Sequence, residues 1–286
     1  MVKLPKNLAD KLNKLKEIIL NMQSIIVAYS GGTDSTFLLR ISQDVLKDRV
    51  LAVIVQSEIY PQREIKYAVR IAKDLKVPFL ILRTEILKNK RFLRNSLKRC
   101  YFCKREVFSK IKKIAKEKKF AFVADGSNYD DLLDFRPGFK AGEEFEVRSP
   151  LIEAQFTKEE IRYVSKFLGL PTWNKPPLAC LATRVPYGVR IERESLKRID
   201  QAENYILSMG IRQVRVRDYK RIARIEVLSE DFPTVVNNSK KITKYLHKLG
   251  YLFVTLDLEG YITSKRINSN RFIYKSFFKD KSKIVK

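Results

Sequence analysis

The chain has 286 residues, of which 45% are hydrophobic, and it contains 58 lysines and arginines against 32 aspartates and glutamates. This composition allows one large domain or two of ordinary size, and it excludes wholesale disorder. No apolar run approaches the length that crosses a bilayer, and the first twenty residues are typical of an amphipathic helix rather than of a signal peptide. We therefore expect a cytoplasmic protein without membrane contact.

The formal net charge of +26 leaves two interpretations open. It favours a polyanionic partner, such as RNA or a phosphorylated substrate, but a lysine-rich surface like that of thermophile proteins has the same composition. The lysines are spread along the chain rather than gathered in one block, so composition does not decide between the two.

The first 170 residues predict an α/β fold with a parallel sheet. Apolar strands alternate with helices, which is typical of β-α-β units, and ligands of such sheets bind beyond the carboxyl ends of the strands. Thr157 and Glu160 form a predicted capping box for the last helix. Predicted helices cover roughly 6–22, 35–46, 67–75, 104–119 and 157–169, and predicted strands cover 25–29, 50–56, 78–82 and 120–127.

From about Asn174 the pattern changes to a proline-marked connector, NKPPLACLATRVPYG, followed by shorter elements. We expect a first domain over 1–175 and a smaller α+β domain over 176–286, for substrate binding or oligomerisation, with a basic tail after Ile267. Its predicted elements are a helix over 193–210, strands over 213–219 and 221–228, a helix over 234–250 and a strand over 251–258.

The segment SIIVAYSGGTDSTF joins the first strand to a helix through a glycine-rich turn. Two glycines let the backbone approach an anion, and the helix N-terminus and hydroxyl groups add donors. The turn lacks the lysine of a Walker loop, so we expect it to hold pyrophosphate as a unit while chemistry occurs at the α-phosphate. Asp34 is a candidate Mg²⁺ contact. The turn comprises Ser30, Gly31, Gly32, Thr33, Asp34 and Ser35; the alternative is a strand-to-helix turn without a ligand.

SGGTDS resembles the signature of the PP-loop ATP pyrophosphatases, enzymes that adenylylate a substrate and release pyrophosphate. A stretch similar to ADGSNYDD lies beside the nucleotide in that superfamily, which implies nucleotide contacts for Gly126, Asn128 and Asp130. Asn128, Asp130 and Asp131 are suited to hold Mg²⁺ or to orient the acceptor, although an acidic turn capped by asparagine remains the alternative.

Ser57 and Glu58, just past the second strand, lie where such folds often contact adenine or ribose. This prediction rests on their position alone.

Three cysteines, Cys100, Cys103 and Cys180, are too few for a disulfide framework or a four-ligand zinc site, and His247 belongs to a distant helix. Cys100 and Cys103 begin a helix among basic residues, which is expected to lower a thiol pKa. Three thiolates suit a [4Fe–4S] cluster that leaves one iron open. A redox-active pair and unrelated buried thiols stay as alternatives.

The motifs SGGTDS, CYFCK, ADGSNYDD, RSPL and WNKPPLACLATRVPYG together resemble the LarE family of ATP-dependent sulfur transferases. The resemblance implies that ATP adenylylates a carboxylate of pyridinium-3,5-biscarboxylic acid mononucleotide and that sulfur then displaces AMP to give a thiocarboxylate. One branch sacrifices the sulfur of the cysteine matching Cys180. Another holds a [4Fe–4S] cluster on three cysteines, and the presence of all three favours that branch here.

The chemistry also needs cations. Arg184 is a candidate beside Cys180, and Arg215 and Arg217 alternate on a strand where they are suited to clamp the substrate phosphate. Glu203 and Glu226 lie in segments that resemble the family's active region and are candidates to orient the arginines. A solvated strand face is the alternative for each arginine.

The resemblance further implies a sulfide or other sulfur donor, partner enzymes of nickel-pincer nucleotide biosynthesis, and homo-oligomers. A PP-loop tRNA thiolation enzyme is the main rival, since basic charge suits tRNA, and counterion release would make tRNA binding steeply salt-dependent. A non-catalytic nucleotide- or RNA-binding module and an amidating synthetase are weaker rivals. The loop keeps its serine and aspartate, and no glutaminase-like segment is present.

Overall fold

A computed structural model gives two compact units, divided between Asp200 and Gln201. No helix in the part of the chain that the structure describes is both long and apolar enough to span a membrane. The basic tail predicted after Ile267 lies outside the described residues. The structure describes residues 4–133, 136–177 and 179–262.

The first unit is built on a four-stranded parallel sheet of order β3-β2-β1-β4, which confirms the predicted α/β class. The predicted strands agree with the observed ones to within two residues at each end. Its elements are α1 (Lys6–Asn21), β1 (Ile25–Tyr29), α2 (Thr33–Leu46), β2 (Val50–Gln56), α3 (Gln62–Asp74), β3 (Phe79–Arg83), α4 (Lys90–Leu93), α5 (Arg99–Glu117), β4 (Phe122–Asp125), α6 (Gly138–Glu144), α7 (Pro150–Glu153), α8 (Lys158–Phe167) and the start of α9 (Arg193–Leu207).

Both faces of this sheet are buried. Ile25 and Val27 of β1 pack into the core that contains residues of α1, α2 and α8, whereas Ile26 faces the core formed with α5. Strands buried on both faces read as continuous apolar runs, which is why β1 and β2 were recognisable from the sequence. Helix α8 begins with the predicted capping box, since Thr157 Oγ1 accepts from Glu160 N and Glu160 Oε2 accepts from Thr157 N.

The strand order places two loops side by side. β1 and β4 are neighbours, and Ala28 near the end of β1 is in register with Asp125 at the end of β4. The SGGTDS turn and the DGSNYDD segment therefore leave the same edge of the sheet together, as predicted.

The units divide within α9 rather than near the domain boundary expected between residues 175 and 176. The connector packs into the first unit, where Leu181, Ala182 and Val185 share an apolar cluster with Ile59 and Phe92. This tertiary packing of the connector has no signature in the local sequence.

The second unit has a three-stranded sheet of order β5-β6-β7, antiparallel between β5 and β6 and parallel between β6 and β7. The single helix predicted over 234–250 is wrong in one respect: the chain forms two helices separated at Asn238, whose Nδ2 donates to Thr234 O. The remaining elements are β5 (Val214–Tyr219), β6 (Ile222–Val227), α10 (Phe232–Asn237), α11 (Ser239–Lys248) and β7 (Phe253–Leu256).

Candidate active site

The glycines of the nucleotide loop are required by close packing. Gly31 has a φ of +71°, and a Cβ there would lie 2.7 Å from the Cβ of Ala68. A Cβ on Gly126 would lie 2.8 Å from the backbone N of Ser35. A side chain at Gly31 would therefore push the nucleotide loop away from α3, and a side chain at Gly126 would push the two loops apart, since these two loops touch through backbone.

The three hydroxyls of the loop have different roles. Ser30 Oγ and Ser35 Oγ are 3.0 Å apart and share a hydrogen bond. Thr33 is buried, and its Oγ1 donates to Thr172 O at 2.7 Å, so this hydroxyl anchors the loop to the chain after α8. Gly32 at the N-cap of α2 has no side chain to cap the first turn, which leaves the first backbone N–H groups suited to bind an anion.

Asp34 is held from two directions. Its Oδ2 accepts from Asn128 Nδ2 at 3.2 Å, and its Oδ1 lies 2.5 Å from Lys158 Nζ. The backbone N–H of Lys158 also donates to Asp130 Oδ2 at 3.0 Å. The lysine that the loop itself lacks is thus supplied by the first residue of α8, a residue that the sequence analysis missed because nothing local distinguishes it from other helix-starting lysines.

The oxygen atoms around Asp34 fit a hard cation. Asn128 is 3% exposed, and its Oδ1 is buried without a hydrogen-bond partner. An amide oxygen and a carboxylate are ligands that Mg²⁺ accepts, so Asp34 and Asn128 are the better candidates here. Asp131 is engaged elsewhere: its Oδ2 accepts from Asn128 N at 3.1 Å and its Oδ1 pairs with Arg136 at 2.7 Å. Burial raises the pKa of Asp131, and the charge of Arg136 opposes that effect.

Asp125 ties the ADGS and RSPL motifs together. Its carboxylate accepts from Ser127 Oγ and Ser149 Oγ, each at 2.9 Å, and pairs with Lys104 Nζ at 3.1 Å. Burial by itself would raise the pKa of Asp125, but the Lys104 charge and the hydrogen bonds from Ser149 and Ser127 outweigh it and hold the pKa below its usual value. This network fixes the end of β4 beside the nucleotide loop.

A second lysine that sequence reasoning missed supports the loop from the other side. Lys175 Nζ donates to Gly31 O at 3.0 Å, pairs with Glu64 at 2.9 Å and lies 3.8 Å from the Tyr67 ring centroid. Burial lowers the pKa of Lys175, and the charge of Glu64 opposes that effect.

Ser57 is also in this first unit. It is buried, and its Oγ donates to Glu58 Oε2 at 3.3 Å, while Glu58 Oε1 pairs with Arg193 at 2.8 Å. The adenine or ribose role of Ser57 and Glu58 stays a prediction.

The three cysteines come from two segments, the first turns of α5 and the connector, and they lie close enough for each charge to affect the others. The expectation of a lowered thiol pKa is wrong for Cys103. Burial, followed by the nearby Cys180, raises the pKa of Cys103 to about 12, although a hydrogen bond with the Tyr60 hydroxyl acts the other way. Burial also raises the pKa of Cys180, and the charge of Arg99 opposes this.

The [4Fe–4S] cluster on these three cysteines stays a prediction. Among the described residues, no group of three or more histidine, cysteine, aspartate or glutamate side chains is arranged to hold one metal ion. In a [4Fe–4S] cluster each thiolate binds a different iron, so its cysteines stand farther apart than the ligands of one ion. Three neighbouring thiols, of which that of Cys100 is exposed, are compatible with such a cluster.

Arg184 is buried and supports the segment that carries Cys180. Its Nη1 donates to Ala179 O at 2.8 Å, to Cys180 O at 3.3 Å and to Thr183 Oγ1 at 3.0 Å. These bonds hold the backbone around the cysteine, and a direct role of Arg184 at the α-phosphate stays a prediction.

In the second unit, the predicted arginines lie on one strand and are already engaged. Arg217 makes a two-pronged pair with Glu226, at 2.8 and 3.1 Å, and Arg215 Nη1 donates to Ile262 O at 3.3 Å while stacking 4.2 Å from the Tyr261 ring. Arg224, not predicted, also pairs with Glu226 at 2.8 Å.

Glu203 of α9 is bonded to the strand that carries Arg215 and Arg217. It is fully buried, and its Oε1 accepts from the backbone N–H of Val216 at 3.0 Å. His247, at the end of α11, shares a 2.9 Å hydrogen bond between Nδ1 and Tyr251 O.

Comparison with known proteins agrees with this geometry. The NAD synthase family model matches residues 4–106. A glutamine-hydrolyzing GMP synthase of Helicobacter pylori is 28% identical over 56% of this chain and 35% of its own length. An uncharacterized protein of Synechocystis is 37% identical over 90% of this chain and 97% of that protein.

One named relative covers nearly the whole chain. Pyridinium-3,5-bisthiocarboxylic acid mononucleotide synthase of Lactiplantibacillus plantarum is 34% identical over 262 residues, which is 91% of this chain and 95% of that enzyme. The alignment spans the nucleotide loop, the cysteine-bearing connector and most of the second unit. The chain therefore belongs to the LarE family of PP-loop enzymes.

Proposed function

We propose that this protein is an ATP-dependent sulfur transferase that adenylylates a carboxylate of pyridinium-3,5-biscarboxylic acid mononucleotide with release of pyrophosphate, after which sulfur displaces AMP to give a thiocarboxylate. The observation that carries the proposal is the anion-binding loop whose Asp34 is shared by Asn128 and Lys158. The similarity to the Lactiplantibacillus synthase over most of the chain supports the substrate class.

The loop and its neighbours serve the adenylylation half of the reaction. The first N–H groups of α2 and the Ser30 and Ser35 hydroxyls bind the pyrophosphate portion of ATP. Asp34 and Asn128 Oδ1 would hold Mg²⁺, which would supply positive charge to the phosphates when bound. Lys158, the cation beside Asp34, stabilises the charge that develops as pyrophosphate leaves.

The cysteines serve the sulfur half. Cys100, Cys103 and Cys180 would hold a [4Fe–4S] cluster, which would supply an iron without a cysteine ligand for binding sulfide. Cys180 is then a ligand rather than a consumed reagent, and mass spectrometry after turnover would contradict this if Cys180 had lost the mass of H₂S. Arg184 keeps the carbonyls of Ala179 and Cys180 in place, so that the ligand is presented from a fixed backbone.

The second unit binds the phosphate of the mononucleotide. Arg215 and Arg217 supply the donors, and Glu226 fixes the plane of the Arg217 guanidinium through its two-pronged contact. Glu203, bonded to Val216 N between these arginines, orders their strand. A sulfide donor, enzymes of the same nucleotide pathway and further copies of the chain are the partners that this function requires or favours.

Pyrophosphate release by anaerobically reconstituted protein tests the proposal. With ATP and Mg²⁺, the biscarboxylated mononucleotide is expected to stimulate release, and bulk tRNA is not. Stimulation by tRNA alone would replace the substrate and make the basic surface a tRNA-binding surface.

The role of Lys158 gives that assay an internal control. Lys158→Gln is expected to slow pyrophosphate release by about 100-fold, because one charged contact to the transition state is lost. Lys166→Gln is the matched control, since Lys166 lies on the same helix and its ammonium is 4.8 Å from the centroid of the Trp173 ring. Equal rates for the two variants would remove Lys158 from the mechanism.

A further inference from the structure

Arg99, the first residue of α5, is a buried cation in contact with neutral groups. It is 3% exposed, its Nη1 donates to Asn95 Oδ1 and, at 3.1 Å, to Ala182 O, and its guanidinium lies 4.8 Å from the Tyr187 ring centroid. An amide, a carbonyl and an aromatic ring orient the guanidinium, but none of them carries a negative charge.

No carboxylate pairs with Arg99 anywhere in the described ranges, and its Nε is buried without a hydrogen-bond partner. Taking a guanidinium out of water costs several kcal/mol unless a nearby anion compensates it. In Arg217 the charge is compensated by a carboxylate, since its guanidinium makes a two-pronged pair with Glu226. Arg99 keeps its charge in the interior without any such carboxylate.

The charge of Arg99 lies beside the segments that carry the three cysteines. Arg99 directly precedes Cys100 in α5, and the carbonyl it binds belongs to Ala182, two residues after Cys180. The guanidinium thus lies between the two segments that supply the thiols.

A [4Fe–4S] cluster on three cysteines is itself an anion. The positive charge of the oxidised core is smaller than the combined negative charge of three thiolates, and a bound sulfide adds more negative charge. Burial strengthens every charge interaction at such a centre. A fixed cation beside it would compensate that anion, and the anion would compensate the cation.

We propose that Arg99 is a positioning residue of the sulfur-transfer centre, whose fixed positive charge stabilises the anionic iron–sulfur cluster while its bond to Ala182 O holds the Cys180 segment. This inference rests on the proposed function, because it takes the three cysteines as cluster ligands. It adds a residue whose side chain contacts Asn95, Ala182 O and the Tyr187 ring and that acts on the cluster through its charge.

Two substitutions separate charge from hydrogen bonding. Arg99→Gln keeps amide N–H donors for Ala182 O but removes the charge, whereas Arg99→Lys keeps the charge. After anaerobic reconstitution, the Arg99→Gln cluster is expected to have a lower reduction potential, because a nearby cation favours the more negative reduced state. It is also expected to be lost to an iron chelator about tenfold faster, equivalent to about 1.4 kcal/mol. Arg99→Lys should stay near the wild type in both.

Arg91→Gln is the matched control. Arg91 lies in α4, with its guanidinium 5.9 Å from the ring of Phe102, which is between the two α5 cysteines in sequence, and it is exposed. It carries the same formal charge, but water screens it, so its loss should leave the cluster potential and the chelator rate unchanged.

Folding is checked by thermal unfolding of the cluster-free proteins, in which Arg99→Gln should be no less stable than the wild type because a buried uncompensated charge is removed. An Arg99→Gln cluster that matches the wild type in potential and in chelator rate would overturn the inference. So would a wild-type protein that takes up no cluster under reconstitution. The proposed function is tested separately in the same preparation by measuring pyrophosphate release. If the cluster-loaded wild type releases no pyrophosphate with the mononucleotide, the proposed function fails.

Discussion

The nucleotide loop and the three-cysteine group lie in the same unit, yet they are built in opposite ways. The loop follows from consecutive residues, Ser30 to Ser35, between a strand and a helix. The cysteine group is assembled from the start of α5, the connector and the Tyr60 region after β2. Local sequence determines the first, whereas tertiary packing determines the second.

Charge is also handled differently in the two regions. Asp34 at the loop has a cationic partner in Lys158, so its charge is compensated before any ligand binds. At the cysteines, Arg99 has no carboxylate partner among the residues described, and burial raises the pKa of two thiols. The negative charge at the loop is therefore compensated by a cation, whereas at the cysteines burial disfavours the thiolates and the charge of Arg99 only partly opposes that effect at Cys180.

The largest expected effect is on activity: a variant of the cysteine group should lose only sulfur transfer, whereas a variant of the loop should lose both half-reactions. Cys180→Ser should abolish thiocarboxylate formation and leave mononucleotide-dependent pyrophosphate release within about threefold of the wild type, since Cys180 makes none of the loop's contacts. Chromatography of the nucleotide product alongside a pyrophosphate assay measures both. Asp34→Asn is the reciprocal variant and should lose both by about 100-fold or more. If Cys180→Ser also stopped pyrophosphate release, the two regions would not be separable.

A smaller effect, on the free energy of unfolding, tests how tightly the loop is packed. Gly31 and Gly169 have φ values of +71° and +68°, but only Gly31 would place a Cβ against another residue. Gly169→Ala should cost about 1 kcal/mol of backbone strain and leave ATP binding unchanged. Gly31→Ala should cost about 3 kcal/mol, because it adds a clash with Ala68, and should weaken ATP binding. Urea denaturation and ATP titration measure these; equal costs would mean that the contact with Ala68 relaxes freely.

What the sequence predicted follows the same division between local and tertiary structure. The strands, the loop and the Thr157 capping box were predictable because each is specified within a few consecutive residues. Lys158 and Lys175 were missed because their partners, Asp34 and Gly31, are more than a hundred positions away.

The expectation of a lowered thiol pKa was wrong for the same reason, because the pKa of Cys103 depends on tertiary packing. Basic neighbours and a helix start are visible in the sequence and do lower a thiol pKa. The burial of Cys103 is not visible, because it depends on Tyr60 and on the connector that carries Cys180, and burial dominates. The division of one predicted helix into α10 and α11 was likewise missed, since Asn238 is compatible with either arrangement.

The smallest predicted effect compares burial at the two regions directly. At Cys103 burial dominates and raises the pKa of the thiol. At Asp125, at the end of β4, the Lys104 charge and the hydrogen bonds from two serines outweigh burial and lower the pKa of the carboxyl. A carboxyl whose folded pKa is lowered stabilises the fold above its unfolded pKa of about 3.9, and that contribution is lost as the pH falls through the folded pKa. Acidification from about pH 6 to pH 3 should therefore reduce the free energy of unfolding more steeply for the wild type than for Asp125→Asn.

Asp44→Asn provides the control for this pH series, because Asp44 pairs with Arg40 on the exposed face of α2, where solvent screens the pair. Its unfolding free energy should follow the wild type with pH. Each unit by which the folded pKa of Asp125 is lowered corresponds to about 1.4 kcal/mol of unfolding free energy that the wild type loses on full acidification and Asp125→Asn does not. If the unfolding free energies of the wild type and Asp125→Asn fell in parallel with pH, burial would cancel the effect of the Lys104 charge on the pKa of Asp125. The pKa of Asp125 would then not be lowered, and the contrast with Cys103 would be lost.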